Sequence, residues 1–428
     1  MPFNTNPRTL RQLGIISFSN FAAFFDFLIY LYLADILSAA FFPATEATLI
    51  GKLQTLSLFS AGYLSRPVGA LLLGRFGDIK GRKATFYISA SFIALTSLAT
   101  ACLPTYAQAG ILAPILFFTA RVAQGMAFGA HSTLGWVYLS EQAPKSQMAF
   151  YSSVSSASFM VGIVATLIIF KIIFNTYTDQ ALVEYAWRIP FVISACLATI
   201  AVLLGRYLTE TPLFLSQKVK RPYIPRYKNF SLSFKRFNAI FITVLLSFYI
   251  SSLVIVVALL LPQMITHKFS IDPSLLGFSN GLAILFLSLG CVFFGLMADK
   301  GHIGKALMIG SIAVALQSLA FYYHLQNSSG DYILLMYAVL GFSTGVISLC
   351  PVIMVQLFPT RTRLTAVALT YNCTYAVVGG ALPIGLLYAT DHISFSPALY
   401  LIFIGIVGVI IGMYVMRAPP LASLNSQV

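Results

Sequence analysis

The sequence predicts an all-α membrane protein in which twelve transmembrane helices form two pseudo-symmetric six-helix bundles. Three observations support this fold class. Of the 428 residues, 58% are hydrophobic and only 9% are charged, whereas soluble domains carry about 25% charged residues. The apolar residues fall into twelve long runs, and one polar segment near the middle of the chain divides these runs six and six. Lipid is therefore expected to surround most of the chain.

Each apolar run is long enough to cross a bilayer as a helix. Spanning the hydrocarbon core takes about 20 residues, because every backbone polar group must be satisfied within the segment. The fourth run is the least apolar, since Arg121, Gln124 and His131 interrupt it. The twelve predicted helices cover residues 14–42, 52–76, 84–103, 110–138, 150–174, 188–208, 238–263, 276–298, 304–324, 331–356, 363–389 and 396–416.

The positions of the basic residues predict the orientation of these helices. The formal net charge is +14, and most of the 26 Lys and Arg residues lie near the termini, in the central segment or in every second connection. The exceptions are Lys52, Lys171, Arg188 and Lys268 in the other connections, and Arg66 and Arg121 within predicted helices. Because cytoplasmic connections are enriched in Lys and Arg, both termini of this multi-pass protein are expected in the cytoplasm.

The sequence also argues against several other classes of function. A nucleic-acid partner would need basic residues gathered on one face rather than spread over connections. The five cysteines lie singly inside apolar runs, so no metal site is indicated. No His/Asp/Glu cluster, Ser-centred elbow or phosphate-binding loop is present, so neither an organic cofactor nor an enzyme activity is expected.

A repeated motif supports the division into two halves. Gly74-x-x-x-Asp78 follows the second predicted helix and recurs as Gly295-x-x-x-Asp299 after the eighth. We therefore expect an N-terminal six-helix bundle over residues 1–208, a cytoplasmic basic linker over 209–237, and a C-terminal six-helix bundle with a short cytoplasmic tail over 238–428.

Several motifs carry a family resemblance. The stretch Gly74-Arg-Phe-Gly-Asp78-Ile-Lys-Gly81-Arg82-Lys83 resembles the signature loop of the major facilitator superfamily. Other segments, in matching order and spacing over almost the whole chain, resemble its metabolite:proton symporter subfamily. These include Asp26-Phe27 with Tyr30, Arg66-Pro67-x-Gly69, Arg121-x-x-Gln124-Gly125, Glu141-x-x-Pro144, Glu210-Thr211-Pro212, Phe358-Pro359-Thr360 with Arg363, and Tyr371-Asn372.

The resemblance implies the major facilitator fold and a specific class of transport. Members of the subfamily take up compatible solutes such as proline and betaine, or organic acids such as citrate, 2-oxoglutarate and shikimate, together with protons. The partners implied are therefore a small-molecule substrate, H⁺ and the lipid bilayer of a bacterial inner membrane. No obligate protein partner is indicated, and the chain is expected to act as a monomer.

This chain departs from the subfamily pattern at two intramembrane carboxylates. Ala23 stands where the subfamily usually has a Glu before the first-helix Asp, and His131 stands where its Gly-Gly-Glu motif ends. These departures motivate one alternative, an uncoupled facilitator or exporter of small metabolites. A further alternative, from a different functional class, is a non-transporting membrane sensor.

Asp26 and Arg121 are the leading candidates for the transport chemistry. Asp26 is expected about 18 Å along the first helix, near the middle of the membrane, where a charge costs about 2.5–3.5 kcal/mol and needs a partner or a function. The resemblance implies that the first and fourth helices line one cavity. We interpret Asp26 as the proton-responsive carboxylate and Arg121 as its partner or a substrate anchor; the alternative is a permanent structural pair.

Further polar residues are expected to line the same pathway. In the fourth helix, Arg121, Gln124 and His131 recur at helical spacing, which places them on one face. His131 could replace the missing Glu as a proton site, or be a neutral histidine bonded to a neighbouring helix. The other candidate pathway residues are Tyr30, Tyr371 and Asn372. Arg66, beside Pro67, is interpreted as structural.

The signature loop is expected to control opening on the cytoplasmic side. Asp78 is predicted to sit against a helix N-terminus of the other half, with Arg361 to Thr365 as the counterpart, while Gly74 and Gly81 allow close approach and a tight turn. The alternative is that the basic residues only set topology. The candidate gating residues are Gly74, Asp78, Gly81, Arg82, Lys83, Asp299, Arg361 and Arg363.

Overall fold

A computed structural model describes residues 6–42, 49–220, 234–269, 272–327 and 332–417. The middle of the expected linker, residues 221–233, and the tail after residue 417 lie outside the described residues. The start of the expected linker contains a short helix, Pro212–Lys220.

Twelve long helices build the described part of the chain. They are α1 (Pro7–Tyr32), α2 (Leu49–Lys80), α3 (Arg82–Ala101), α4 (Leu112–Gln142), α5 (Met148–Thr176), α6 (Arg188–Leu204), α7 (Phe234–Leu253), α8 (Pro273–Lys300), α9 (Ile303–Asn327), α10 (Ile333–Thr344), α11 (Arg363–His392) and α12 (Ser396–Arg417). Among the described residues, each of these helices except α2 lies in a segment that is long and apolar enough to cross a membrane. Helix α2 has 32 residues but is more polar, since it contains Arg66, Arg75 and Asp78.

Three of the spanning segments are interrupted. Helix α1 ends at Tyr32 and continues as a second helix, Ala34–Phe41. Helix α7 passes through a π-helical stretch, Val254–Leu260, into Leu261–Lys268. Helix α10 passes through a 3₁₀ stretch, Gly345–Leu349, into Cys350–Leu357. Prolines follow the last two interruptions, at the second position of the next helix, where a missing N–H is tolerated.

The same pairing of helices occurs twice. In the first half α2 packs on α4, α3 on α6 and α1 on α5; in the second half α8 packs on α10, α9 on α12 and α7 on α11. Each pair recurs six helices later, which is the pattern of two related bundles. The halves meet where α2 packs along α11 and α5 along α8. The predicted twelve-helix fold is therefore confirmed.

Glycines bring helices into contact inside each half. A Cβ at Gly69 would lie 1.8 Å from the backbone oxygen of Met126, at the crossing of α2 and α4. The matching crossing of α8 and α10 has Gly341, where a Cβ would lie 2.1 Å from the oxygen of Ala283. Small residues at crossings allow the close backbone packing that holds helices together in lipid.

The ends of the bundle differ in charge. At one end of the bundle, α1 and α3 begin, and α2, α8 and α12 terminate. We call this end the basic face, because Arg11, Lys80, Lys300 and Arg417 lie at these helix ends. Along the sides, many large apolar residues are exposed, for example Leu64, Leu95 and Val377. Such a belt suits a lipid environment, in which apolar side chains need no cover.

Candidate functional site

Asp26 is buried in the centre of the first half. Its carboxylate accepts hydrogen bonds from Ser97 of α3, from Gln124 of α4 and, at 2.7 Å, from Ser194 of α6. Asp26 is 1% exposed and lies near the middle of the segment Pro7–Phe41. Three polar partners thus replace the water that burial removes.

Arg121 lies in the same layer and is linked to Asp26 through Gln124. The Gln124 amide oxygen accepts a hydrogen bond from the Arg121 NH1 group at 2.7 Å, while its amide nitrogen donates to Asp26. The guanidinium carbon lies 3.8 Å from the centroid of the Tyr30 ring. The Arg121 Nε and NH2 groups have no hydrogen-bond partner, although the residue is fully buried. Donors left unused on a buried cation can bind an anion.

Tyr30 completes this layer. Its hydroxyl lies 3.3 Å from the hydroxyl of Thr100 on α3, and its ring packs against Phe117 and Phe191. The structure therefore brings Asp26, Tyr30, Arg121 and Gln124 together, as the sequence predicts.

His131 lies apart from this group, between three helices. One ring nitrogen lies 3.0 Å from the hydroxyl of Ser19 on α1, and the other lies 2.8 Å from the hydroxyl of Ser89 on α3. A neutral imidazole donates from one nitrogen and accepts at the other, and a hydroxyl can fill either role. This geometry favours the interpretation of a neutral histidine bonded to neighbouring helices.

Arg66 contacts both halves of the molecule. Its Nε donates to the side-chain oxygen of Asn372 on α11 at 2.9 Å, and the Asn372 amide donates to the backbone oxygen of Gly129 on α4 at 2.6 Å. Five aromatic rings lie within 4.6 to 5.8 Å of the Arg66 guanidinium carbon. They belong to Phe27, Tyr63, Phe128, Tyr371 and Tyr375.

A small cavity of about 20 Å³ lies between the halves, next to this aromatic group. Tyr371 and Tyr375 line it from α11, Ser132 and Trp136 line it from α4, and Phe24 lines it from α1. The volume holds about one water molecule, so the halves are closed around it in this conformation.

The basic face is closed by a contact between α2 and α11. The Asp78 carboxylate accepts hydrogen bonds from the backbone N–H groups of Leu364 and Thr365, at 3.1 and 2.9 Å, and from the Thr365 hydroxyl at 2.7 Å. A Cβ at Gly74 would lie 3.0 Å from the Cα of Thr365, so the two helices touch. An acid at a helix N-terminus is favourable, because the first N–H groups lack helical partners. We call this contact the Asp78 closure.

A buried group of ions supports the Asp78 closure. The Glu141 carboxylate accepts two hydrogen bonds from Arg82, both at 3.1 Å, and one from Arg363 at 2.9 Å. Arg82 also donates to the backbone oxygen of Thr360 at 2.6 Å, across the boundary between the halves. The Glu141 side chain is inaccessible to solvent. Arg361, which the sequence also suggests, is exposed at the turn before α11.

The turn before α3 is tied to the start of the expected linker. Gly81 has φ +112°. The backbone N–H groups of the next two residues, Arg82 and Lys83, donate to the Glu210 carboxylate at 3.0 and 3.2 Å. A Cβ at Gly81 would lie 2.1 Å from a Glu210 oxygen. Glycine is therefore required here both for the backbone conformation and for the space that Glu210 fills.

A second contact closes the basic face between α8 and α5. The Asp299 carboxylate accepts hydrogen bonds from the backbone N–H groups of Ala149 and Phe150, at 3.0 and 2.8 Å. We call this the Asp299 closure. It repeats the geometry of the Asp78 closure, since an acid near the end of one helix binds the N-terminus of a helix in the other half.

The described residues contain no group of three or more His, Cys, Asp or Glu side chains that could hold a metal ion. What the fold and the site do define is a membrane transporter. Two helical bundles enclose charged side chains in the membrane and are closed at one end by contacts between the bundles. Two paired bundles of this kind are typical of secondary transporters.

Comparison with known proteins identifies the family. Residues 14–383 match the Major Facilitator Superfamily, and the chain belongs to that superfamily. It is 30% identical over 391 residues to the alpha-ketoglutarate permease of Escherichia coli strain K12, covering 88% of this chain and 87% of that protein. It is 25% identical over 419 residues to a putative proline/betaine transporter of Staphylococcus aureus strain MSSA476, covering 94% of this chain and 87% of that protein.

Solved structures agree with the fold. The proton:xylose symporter XylE bound to 6-bromo-6-deoxy-D-glucose matches with a TM-score of 0.81 at 15% identity, covering 98% of this chain and 99% of that chain. By its family and its curated relatives, the protein is a multi-pass membrane transporter of small metabolites, and not an enzyme.

The structure adds side chains that the sequence reasoning did not select. Glu141 appears in a motif, but its place between two arginines depends on contacts between residues far apart in the chain. Ser97 and Ser194 bind Asp26 without belonging to any motif. Arg66, interpreted as structural, lies at the boundary between the halves. An arginine inside an apolar run was the one signal that could have marked this last position.

Proposed function

We propose that this chain is a symporter that carries a small organic anion together with protons into a bacterial cytoplasm. The observation that carries the proposal is the charge around Phe27. The guanidinium carbons of Arg66 and Arg121 lie 5.4 and 5.1 Å from the centroid of its ring. Asp26 is the buried carboxylate of this layer, whereas Glu141 and Asp78 lie near the basic face. An anionic substrate would supply the missing negative charge.

The arrangement supports coupling of the anion to a proton. When Asp26 is ionised, it offsets one of the two cations. Protonation of Asp26 leaves both cations uncompensated, which strengthens binding of an anion. By the same linkage, a bound anion favours the protonated form of Asp26, because like charges repel and burial penalises the ionised form.

A zwitterion such as proline or betaine is the second candidate substrate. Its carboxylate would bind an arginine, and its cationic group would need Asp26 or the aromatic rings nearby. Names of relatives support both classes, an alpha-ketoglutarate permease and a putative proline/betaine transporter. The excess of positive charge favours the organic anion.

The proposal extends to the architecture. The two bodies that rock against each other are residues 1–208 and 238–428, joined by the linker 209–237. The basic face is the cytoplasmic one by the distribution of Lys and Arg, and the protein acts as a monomer in the inner membrane. The Asp78 and Asp299 closures would then seal the cytoplasmic side, and their release would open it.

Uptake by purified protein in proteoliposomes tests the proposal. A panel of labelled organic acids, proline and betaine is offered with and without an inward proton gradient. We expect gradient-driven accumulation of an organic acid, collapse on addition of a protonophore, and loss of accumulation in Asp26→Asn. Exchange of substrate across the membrane should survive in that variant, because Asn keeps partners for Ser97, Gln124 and Ser194.

The alternative is an uncoupled facilitator or exporter, motivated by Ala23 and His131 at the positions of the usual glutamates. Full proton-driven accumulation by Asp26→Asn would show that Asp26 does not couple transport. Equilibration of substrates without any response to the gradient would establish the facilitator.

A further inference from the structure

Two side chains in the cavity between the halves hold polar atoms without partners. Ser132 and Trp136 stand one turn apart on α4 and line the cavity opposite Tyr371 and Tyr375. The Ser132 hydroxyl and the Trp136 Nε1–H group have no hydrogen-bond partner, although the residues are only 2% and 4% exposed. A buried donor without a partner is costly, and both of these side chains line one cavity.

The chemistry of this pair is that of a donor site. An indole N–H can only donate, and a serine hydroxyl can donate as well. The surrounding rings are apolar: Trp136 packs edge-on against Tyr371 at 5.0 Å and against Phe159 at 6.0 Å between ring centroids. A ligand atom that satisfies the Trp136 N–H group must therefore be a hydrogen-bond acceptor, and the Ser132 hydroxyl can donate to the same atom.

We propose that Ser132 and Trp136 form a subsite that selects anions carrying a second acceptor group, such as another carboxylate or a carbonyl oxygen. The inference rests on the proposed transport of an organic anion, whose first charged group is held near Arg66. It assigns to α4 a specificity role separate from the proton chemistry at Asp26.

The spacing of the two ends defines the size of the ligand. The Arg66 guanidinium carbon lies 4.8 Å from the ring of Phe128, which is one turn before Ser132 on α4. Ser132 and Trp136 lie one and two turns beyond Phe128, which is about 5.4 and 10.8 Å along the helix axis. A chain of five carbons with C–C bonds of about 1.5 Å is about 5 Å long, and the oxygens of its end groups extend its reach, so such a chain reaches from the level of Arg66 towards the subsite. The cavity is too small for such a ligand in the closed conformation, so the subsite fills when the halves separate.

Binding of two matched ligands to the purified full-length protein tests the subsite. Glutarate and valerate have the same number of carbons, but only glutarate carries a second carboxylate. We expect the wild-type protein to bind glutarate more tightly. Trp136→Phe and Ser132→Ala should each weaken glutarate binding about tenfold or more, since a hydrogen bond to a charged group is lost, and leave valerate binding unchanged.

The chain supplies matched control variants. Trp187 is its only other tryptophan and also has a buried Nε1 without a partner, but it packs against Phe41 and Phe191 away from the cavity. Ser140 is a second buried, unpartnered serine on α4 that does not line the cavity. Trp187→Phe and Ser140→Ala should leave the preference for glutarate unchanged. A general packing defect would instead weaken the binding of both ligands equally.

The outcomes separate the two proposals. Equal affinity of the wild-type protein for glutarate and valerate, no binding of glutarate, or an unchanged preference in Trp136→Phe and Ser132→Ala would overturn the subsite. None of these results bears on proton-driven uptake of other organic acids, which is measured in proteoliposomes. Absence of gradient-driven uptake for every acid in the panel would overturn the proposed symport, while the glutarate preference would still report on the subsite.

Discussion

The two closures of the basic face share a backbone geometry but differ in charge. In each, an acid near the end of one helix binds the N-terminus of a helix in the other half, Asp78 at α11 and Asp299 at α5. Beside Asp78, the buried ions Arg82, Glu141 and Arg363 lie across the boundary between the halves. The described residues show no ion pair beside Asp299.

The sequence explains the difference through neutral residues at related positions. Glu141 stands three residues before Pro144, and Gln356 stands three residues before Pro359. Arg363 follows Pro359 by four residues, and Met148 follows Pro144 by four. In the structure the Gln356 amide contacts the Met148 sulfur at 3.1 Å. The internal repeat therefore preserves the helix-end contact, while only one copy adds a charged group to it.

The largest effect should follow from Glu141→Gln. This substitution places beside the Asp78 closure the residue type that Gln356 supplies beside the Asp299 closure. Arg82 and Arg363 would then be buried without a counter-charge, and breaking such a pair costs about 3–5 kcal/mol. We expect a clear drop in the melting temperature of the purified protein and loss of uptake. Glu184→Gln, at an exposed position, is the control. A melting temperature equal to that of the wild-type protein would show that the ions contribute little to the folded protein.

A smaller and unequal effect should separate Asp78→Asn from Asp299→Asn. Both substitutions weaken charge-assisted bonds to a helix N-terminus, but Asp78 also lies 3.5 Å from Arg82. We expect the rate of uptake to fall about tenfold for Asp78→Asn and about two- to threefold for Asp299→Asn. Substrate preference should be unchanged in both, as measured by competition between labelled and unlabelled substrates. Equal losses would mean that the two closures contribute equally, and a changed preference would place Asp78 in substrate binding.

The smallest effect should follow from Arg361→Ala. Arg361 is exposed, whereas Arg363, two residues on, donates to Glu141. Surface substitutions usually change stability by no more than about 0.5 kcal/mol, so melting temperature and uptake should stay near wild type. Arg363→Ala, measured in parallel, should impair both. A strong effect of Arg361→Ala would indicate that Arg361 has a partner in another conformation.

The fold could be predicted because its signals are local. Twelve apolar runs, basic connections and a repeated Gly-x-x-x-Asp motif were enough for the helices and their division into halves. The contact of Asp78 with the start of α11 could also be expected, since residues 361–365 stand at the start of a predicted helix of the other half, where an acid binds favourably. The interruption of α7 by a π-helical stretch was not predicted, because Val254–Leu260 itself is uniformly apolar and only Pro262, just beyond it, marks the break.

The site could be predicted only in part, for a physical reason. Periodicity shows which residues share a face of one helix, as it does for Arg121 and Gln124, but not which residues another helix places opposite them. Ser194 binds Asp26 although 168 residues separate them, and Asn372 binds Arg66 although 306 residues separate them. His131 shows the same limit, since Ser19 and Ser89 decide its surroundings.

The glycine crossings inside each half hold two helices together as a rigid unit, against which the relative motion of the two halves can be measured. A Cβ at Gly69 would lie 1.8 Å from a backbone oxygen of α4, and a Cβ at Gly341 would lie 2.1 Å from a backbone oxygen of α8. At both crossings the two helices are therefore packed too closely to slide past each other. Distances between spin labels on α2 and α4, or on α8 and α10, should therefore keep the same distribution throughout a transport cycle. Label pairs on α2 and α11 should show two separate distance populations, whose proportions shift with substrate and pH.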